Sequence, residues 1–77
     1  MKNISKLIEL YKDDAYAYDD FDDNVIAETL SKVEESLLSM NETTTVKQQL
    51  DELRESMNEE QQEIINDFLQ YYKHYGK

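Results

Sequence analysis

The chain has 77 residues and no cysteine, and its 18 acidic side chains against eight basic ones give it a formal net charge of −10. This length allows one small domain, the lack of cysteine excludes disulfide and thiolate chemistry, and the charge opposes direct binding to nucleic acid or to an anionic membrane surface. No apolar run approaches the roughly 18–20 residues of a membrane span, and the first residues lack the continuous apolar core of a secretory signal, so the sequence predicts a cytoplasmic protein.

The first predicted helix covers residues 3–18. Asn3 is suited to cap it, and apolar side chains then recur every three or four residues, which is the spacing of one face of a helix. Tyr11 and Tyr18 belong to this stripe, so we expect both rings to pack into the core. The stripe consists of Ile4, Leu7, Ile8, Tyr11, Ala15 and Tyr18.

Residues 13–24, DDAYAYDDFDDN, contain six aspartates, three aromatic residues and no basic side chain. They join the first helix to the second, and residues 22–24 are all good amino-terminal caps for the helix that follows. Negative charge at this point also complements the positive end of the helix dipole. Tyr16 and Phe21 lie off the apolar stripe, and we expect both rings to be exposed.

The second predicted helix, over residues 24–40, has the most regular pattern in the chain. Its apolar residues step by four, three, four and three positions, which is the a/d seam of a heptad. Ala27 and Leu38 are expected to widen the seam enough for contact with two neighbouring helices. The seam consists of Ile26, Leu30, Val33, Leu37 and Met40.

Three consecutive threonines favour a loop over residues 41–45, because β-branched side chains are poor inside a helix and useful as caps. A third helix is predicted over residues 45–57. Its apolar seam consists of Val46, Leu50, Leu53 and Met57.

A fourth helix is predicted over residues 58–75. An unbroken continuation of the third helix would place the polar side chain of Gln61 in the core line, which favours a break near residues 56–58. Asn58 then caps the fourth helix, and Gln61 is at its third position, where a capping box has Glu or Gln. Gly76 lies where the helix could stop. This helix is apolar over a wide arc, so we expect it to be the central and most buried element. Its seam consists of Ile64, Phe68, Tyr71 and Tyr75, and a second apolar line consists of Ile65, Leu69 and Tyr72.

These elements predict a single all-α domain over residues 1–77, built as a small antiparallel bundle of four helices. Short connections between helices favour antiparallel neighbours. The alternative is a bundle of three helices, in which the last two predicted helices are fused.

Catalytic motifs are not found in the sequence. The one histidine, His74, is expected to be a solvated side chain, because structural metal sites need further His or Cys ligands. Glu52 with Glu55, and Glu60 with Glu63, have the E-x-x-E spacing of magnesium-binding helices, but the second acidic pair that completes such a site is missing. We therefore expect no enzymatic activity, no metal site and no cofactor.

Acidic side chains are the main candidates for function, since a helical row of carboxylates can occupy a basic groove in place of phosphates. One candidate cluster surrounds the first connection, where aromatic residues supply the anchors that binding sites favour. The other would be a continuous ridge if the third and fourth helices were fused. The predicted partner-binding residues are Asp13, Asp14, Tyr16, Asp19, Asp20, Phe21, Asp22 and Asp23 in the first cluster and Glu52, Glu55, Glu59 and Glu63 in the second.

The function predicted from these features is that of a small acidic inhibitor or immunity-like protein, which occludes a basic surface of a partner protein, such as the surface of a nucleic-acid-binding protein. In surface character alone, an acidic face with embedded tyrosines resembles bacteriocin immunity proteins and phage-encoded nucleic-acid mimics. Such a protein would be a monomer or compact homodimer, bind neither nucleic acid nor membrane directly, and lose affinity as salt rises. The alternative is a helical adaptor or regulator that homo-oligomerises or pairs with a partner helix through its heptad seams.

Overall fold

Four α-helices form most of the chain. The computed structural model describes residues 4–18, 21–40 and 43–75, except for the side chain of Tyr18, and these residues contain no strand. The predicted all-α bundle of four helices is therefore confirmed. The helices are α1 (Ile4–Tyr18), α2 (Asp23–Leu38), α3 (Val46–Arg54) and α4 (Glu59–Tyr75). The predictions for Asn3, Asp19, Asp20, Gly76 and the Tyr18 side chain lie outside the described part.

Asp22 determines where α2 begins. Its backbone is extended, with φ −63° and ψ 132°, and its Oδ1 accepts hydrogen bonds from the backbone N–H groups of Asn24 at 2.8 Å and Val25 at 3.4 Å. These donors belong to the first turn of the helix, where no carbonyl group of the helix can pair with them. The helix accordingly starts at Asp23, one residue before the predicted start.

A capping box fixes the start of α3. The Thr45 hydroxyl accepts from the backbone N–H of Gln48, and the Gln48 side chain accepts from the backbone N–H of Thr45, both at 3.1 Å. The helix ends at Arg54, three residues before the predicted end. Met57, which was predicted to be in the helix, instead lies in the connection and is still buried in the core.

The break between α3 and α4 is confirmed, and so is the capping box predicted at the start of α4. The backbone N–H of Gln61 donates to Asn58 Oδ1 at 2.9 Å, and the backbone N–H of Asn58 donates to Gln61 Oε1 at 3.3 Å. This reciprocal pair satisfies two donors at the start of α4. The structure therefore has four helices rather than the alternative three.

One hydrophobic core lies between the helices, and α2 and α4 are both central to it. Each of these two helices packs against all three others, whereas α1 and α3 pack only against α2 and α4 within the described residues. The expected central position of α4 is thus shared with α2. The fully buried larger side chains are Phe68, Ile26, Leu30, Leu50, Ile64, Ile65, Val33 and Thr29.

Two apolar side chains that the pattern assigned to the core are exposed. Leu38 is 60% exposed because it is the last residue of α2 and lies about 100° around the helix from the buried Leu37. Tyr75 is 61% exposed at the carboxyl end of α4. The expectation that Leu38 widens the seam of α2 is therefore wrong.

Candidate protein-binding surface

Described residues of both acidic clusters, Asp22 and Asp23 from the first and Glu55 and Glu59 from the second, lie at the same end of the bundle. In an antiparallel bundle, the connection between α1 and α2 and the connection between α3 and α4 share one end. A hydrogen bond joins them directly, since the backbone N–H of Asp22 donates to Glu60 Oε2 at 3.3 Å. Glu60 was not among the predicted site residues, because nothing in the local sequence indicates a partner 38 positions away.

Two segments that include this end carry most of the negative charge. Residues 13–31 and 55–72 together hold 12 of the 18 acidic side chains and none of the eight basic ones. All of the carboxylates named next are exposed, apart from the half-buried Glu60. The acidic end is defined here as Asp22, Asp23, Glu55, Glu59, Glu60 and Glu63. Asp13 and Asp14 are exposed on α1, and Asp14 lies beside Tyr71 of α4.

The predicted glutamate ridge is not present as one helical row. It required a continuous helix, and the chain instead breaks between Arg54 and Glu59. Glu59 and Glu63 remain one turn apart on α4, and Glu55 lies in the connection at the acidic end. Glu52 is exposed on α3, on the other side of the break.

The two aromatic residues expected to be free anchors behave differently. Tyr16 is 40% exposed, as predicted. Phe21 is half-buried and packs against the core, so the prediction that its ring is exposed is wrong. Its position off the helical stripe gave no indication of burial, because the residue follows α1 and folds back onto the core from the connection.

A second polar and aromatic arrangement, which the sequence did not indicate, lies between α1 and α4. The Tyr11 hydroxyl donates to Asp67 Oδ2 at 2.7 Å. The ring of Tyr11 makes edge contacts with Phe68 and Tyr71, with centroids 5.6 and 5.5 Å apart. Burial raises the pKa of the Tyr71 phenol, and the Asp14 carboxylate, the neighbouring Tyr75 and a hydrogen bond with Asp14 raise that pKa further.

The rings continue from Tyr71 toward solvent. Its centroid is 4.6 Å from that of Tyr75, which in turn lies 4.5 Å from the centroid of His74 in an edge-to-face arrangement. His74 is exposed, as expected. The spacing of Tyr71 and Tyr75 by one helical turn is the one sequence signal for this contact. The aromatic ladder is defined here as Phe68, Tyr11, Tyr71, Tyr75 and His74.

The basic side chains of α3 are paired within their own part of the bundle. Lys47 Nζ lies 2.9 Å from Asp51 Oδ2, and the Arg54 guanidinium contacts both Asp51 and Asn66. These residues line an open groove of about 580 Å³ beside α4, together with Lys73. Arg54 is directed at Asp51 and Asn66, and so it forms no ion pair with a carboxylate of the acidic end among the described residues.

In the described ranges, no group of three or more His, Asp or Glu side chains has a geometry that could hold a metal ion. None of the four helices combines the length and the apolar character that crossing a bilayer requires.

Comparisons of the chain with models of protein families, with curated proteins and with solved structures found no match.

Proposed function

We propose that this chain is a small acidic protein-binding module, which docks through its acidic end onto a basic surface of a partner protein and occludes it. The observation that carries the proposal is the hydrogen bond between Asp22 and Glu60, which brings two separate acidic segments to one end of the bundle. Exposed carboxylates from both segments thereby lie at the same end of the bundle.

The chemistry of this end favours a basic partner. Like charges held close together repel, and a partner that brings Lys and Arg side chains relieves that repulsion on binding. A groove that normally binds phosphate groups offers such side chains at high density, so a nucleic-acid-binding protein is the partner class we propose. The chain needs no oxidising compartment because it lacks cysteine, and we propose that it acts in the cytoplasm.

The alternative, an adaptor that pairs through its heptad seams, has less support. Leu30 is fully buried and Leu37 is 3% exposed, so the seam of α2 is covered by the other helices of the same chain. A partner helix could reach these side chains only if α2 separated from the bundle. Leu38 remains accessible at the end of α2, but it is a single exposed side chain rather than a seam.

The proposal is tested with two variants that change the net charge equally at different ends of the bundle. The test variant combines Asp23→Asn, Glu59→Gln and Glu63→Gln, and it leaves the cap residue Asp22 intact. The control variant neutralises the carboxylates of Glu9, Glu34 and Glu35, which lie in the first half of α1 and the second half of α2.

Proteins from the producing cells are captured on the immobilised chain and purified. Each captured protein is then titrated with the chain by calorimetry at roughly 50–300 mM sodium chloride. We expect the test variant to lose at least about threefold in affinity, the native chain to bind more weakly as salt rises, and the control variant to bind nearly as the native chain does. A nucleic-acid-binding partner should also release its nucleic acid when the chain is added. Equal loss in both variants, or affinity independent of salt, would contradict the proposal.

A further inference from the structure

The aromatic ladder reaches solvent at Tyr75 and His74. The exposed fraction rises along it, from 2% for Tyr11 through the half-buried Tyr71 to 61% for Tyr75. The Tyr75 ring contacts the rings of Tyr71 and His74, and it remains 61% exposed. An aromatic surface is therefore available to a partner.

Carboxylates border the ladder. Asp67 accepts from the Tyr11 hydroxyl, and the Asp14 carboxylate is close enough to Tyr71 to raise the pKa of its phenol. Both carboxylates are on exposed residues. A phenol that donates to a carboxylate is polarised by it, which increases the negative charge on the ring. Leu10 lies one turn before Asp14 on the same side of α1 and is 47% exposed.

We propose that this surface receives an arginine side chain of the basic partner, with the guanidinium stacked on Tyr75 and its N–H groups directed at the Asp14 carboxylate. The proposal rests on the proposed function and deepens it by naming the side chain that is recognised. The surface is called the ladder face and consists of Leu10, Asp14, Asp67, Tyr71 and Tyr75.

Arginine fits the ladder face better than other cationic side chains do. Its guanidinium is planar and weakly hydrated, so that it stacks on an aromatic ring while its edge donates to a carboxylate. The lysine ammonium is a strongly hydrated point charge and cannot do both in one geometry. The aliphatic part of an arginine side chain also has an apolar neighbour in Leu10.

The ladder face and the acidic end would contribute to binding in different ways. Attraction between exposed charges acts over a distance and is weakened by salt, whereas stacking on a ring depends on contact. The acidic end is expected to raise the rate of association, and the ladder face to slow dissociation.

The experiment titrates acetylated, amidated hexaarginine into the isotopically labelled chain and follows the aromatic ring signals by NMR. We expect the rings of Tyr75 and Tyr71 to shift together with the Asp14 signals. Tyr75→Leu should weaken hexaarginine binding by roughly twofold to fivefold, the range given by a partly exposed cation–π contact. Tyr75→Phe is the matched control, because it keeps the aromatic ring and removes only the hydroxyl, and it should bind hexaarginine nearly as the native chain does.

Hexalysine should bind more weakly and should not depend on Tyr75. Circular dichroism checks that both variants retain the native helicity. Equal affinities of the leucine and phenylalanine variants would overturn the inference, and so would hexalysine binding that depends on the Tyr75 ring as strongly as hexaarginine binding does.

The variant Asp23→Asn, Glu59→Gln, Glu63→Gln separates this inference from the proposed function. If that variant weakens hexaarginine binding and Tyr75→Leu does not, the ladder face is rejected and the acidic end is supported. If neither change weakens binding, both proposals are rejected.

Discussion

The hydroxyl of Tyr11 donates a 2.7 Å hydrogen bond to Oδ2 of Asp67, which joins α1 to α4 across 56 positions of the chain. Tyr11 is 2% exposed, and the next residue of α4, Phe68, packs edge-on against its ring. Two consecutive residues of α4 thus hold the polar and the apolar parts of the same side chain. A buried tyrosine whose hydroxyl reaches the surface is placed by both kinds of contact.

Tyr11→Phe removes this hydroxyl and keeps the ring. We expect the free energy of unfolding to fall by about 1 kcal/mol, because Asp67 is exposed and water can replace the lost donor. Urea denaturation followed by circular dichroism measures the change. Tyr16→Phe is the control, and its exposed ring should leave the stability unaltered. Similar losses in both variants would show that the bond with Asp67 contributes little.

Asp22→Ala tests the cap of α2. The substitution removes the acceptor for the backbone N–H groups of Asn24 and Val25, so the free energy of unfolding should fall by about 1 kcal/mol, within a range of about 0.5–2 kcal/mol. Asp22→Asn keeps a capping oxygen while removing the charge, and it should retain most of the stability. If Asn costs as much as Ala, the contribution is electrostatic rather than a cap.

Predictions from the sequence were most accurate where they depend on residues that are close together in the chain. The cap at Asn58 depends on a backbone group three residues away, so residue type and spacing were enough to predict it. The cap of α2, Asp22, is one of the three candidates that the sequence offered at residues 22–24. The helical stripe placed Tyr11 in the core for the same reason, since its neighbours on one face of α1 are fixed by helix geometry.

Contacts between distant segments could not be predicted in this way. The burial of Phe21 depends on how the connection folds back, and the contact between Asp14 and Tyr71 depends on how α1 is placed against α4. The exposure of Leu38 results from the absence of a covering helix at the end of α2 among the described residues. Each outcome is set by tertiary packing, which periodicity does not encode.

Thr29→Val should stabilise the fold. Thr29 is fully buried in α2, and its Oγ1 has no hydrogen-bond partner among the described residues. Valine has nearly the same shape without the hydroxyl, so the substitution removes a buried polar group and should raise the free energy of unfolding by about 1 kcal/mol.

The measurement for Thr29 is the urea midpoint at an unchanged m-value. Thr29→Ser is the complementary variant, because it keeps the hydroxyl and deletes the methyl group, and it should lower the midpoint. A lower midpoint for the valine variant would indicate that the hydroxyl contributes to stability.

Asp14→Asn should lower the pKa of Tyr71. Burial is the largest cause of the raised pKa and remains in the variant, whereas the Coulombic effect of the Asp14 carboxylate is lost, so the pKa should fall only part of the way toward its ordinary value of 10.0. The pKa is measured from the pH dependence of the Tyr71 ring carbon signals, which Tyr71→Phe assigns. Asp13→Asn, the neighbouring substitution with the same charge change, should leave the Tyr71 pKa nearly unaltered.

The same shift predicts how stability depends on alkaline pH. Because the phenol of Tyr71 keeps its proton to a higher pH in the folded chain than in the unfolded chain, its contribution to stability is complete below about pH 10 and is lost as the pH rises through the folded pKa. Asp14→Asn narrows the gap between the two pKa values and should make this alkaline loss smaller, as measured by urea denaturation on both sides of pH 10. A loss of the same size in Asp14→Asn and the native chain would mean that the Asp14 carboxylate has no effect on Tyr71.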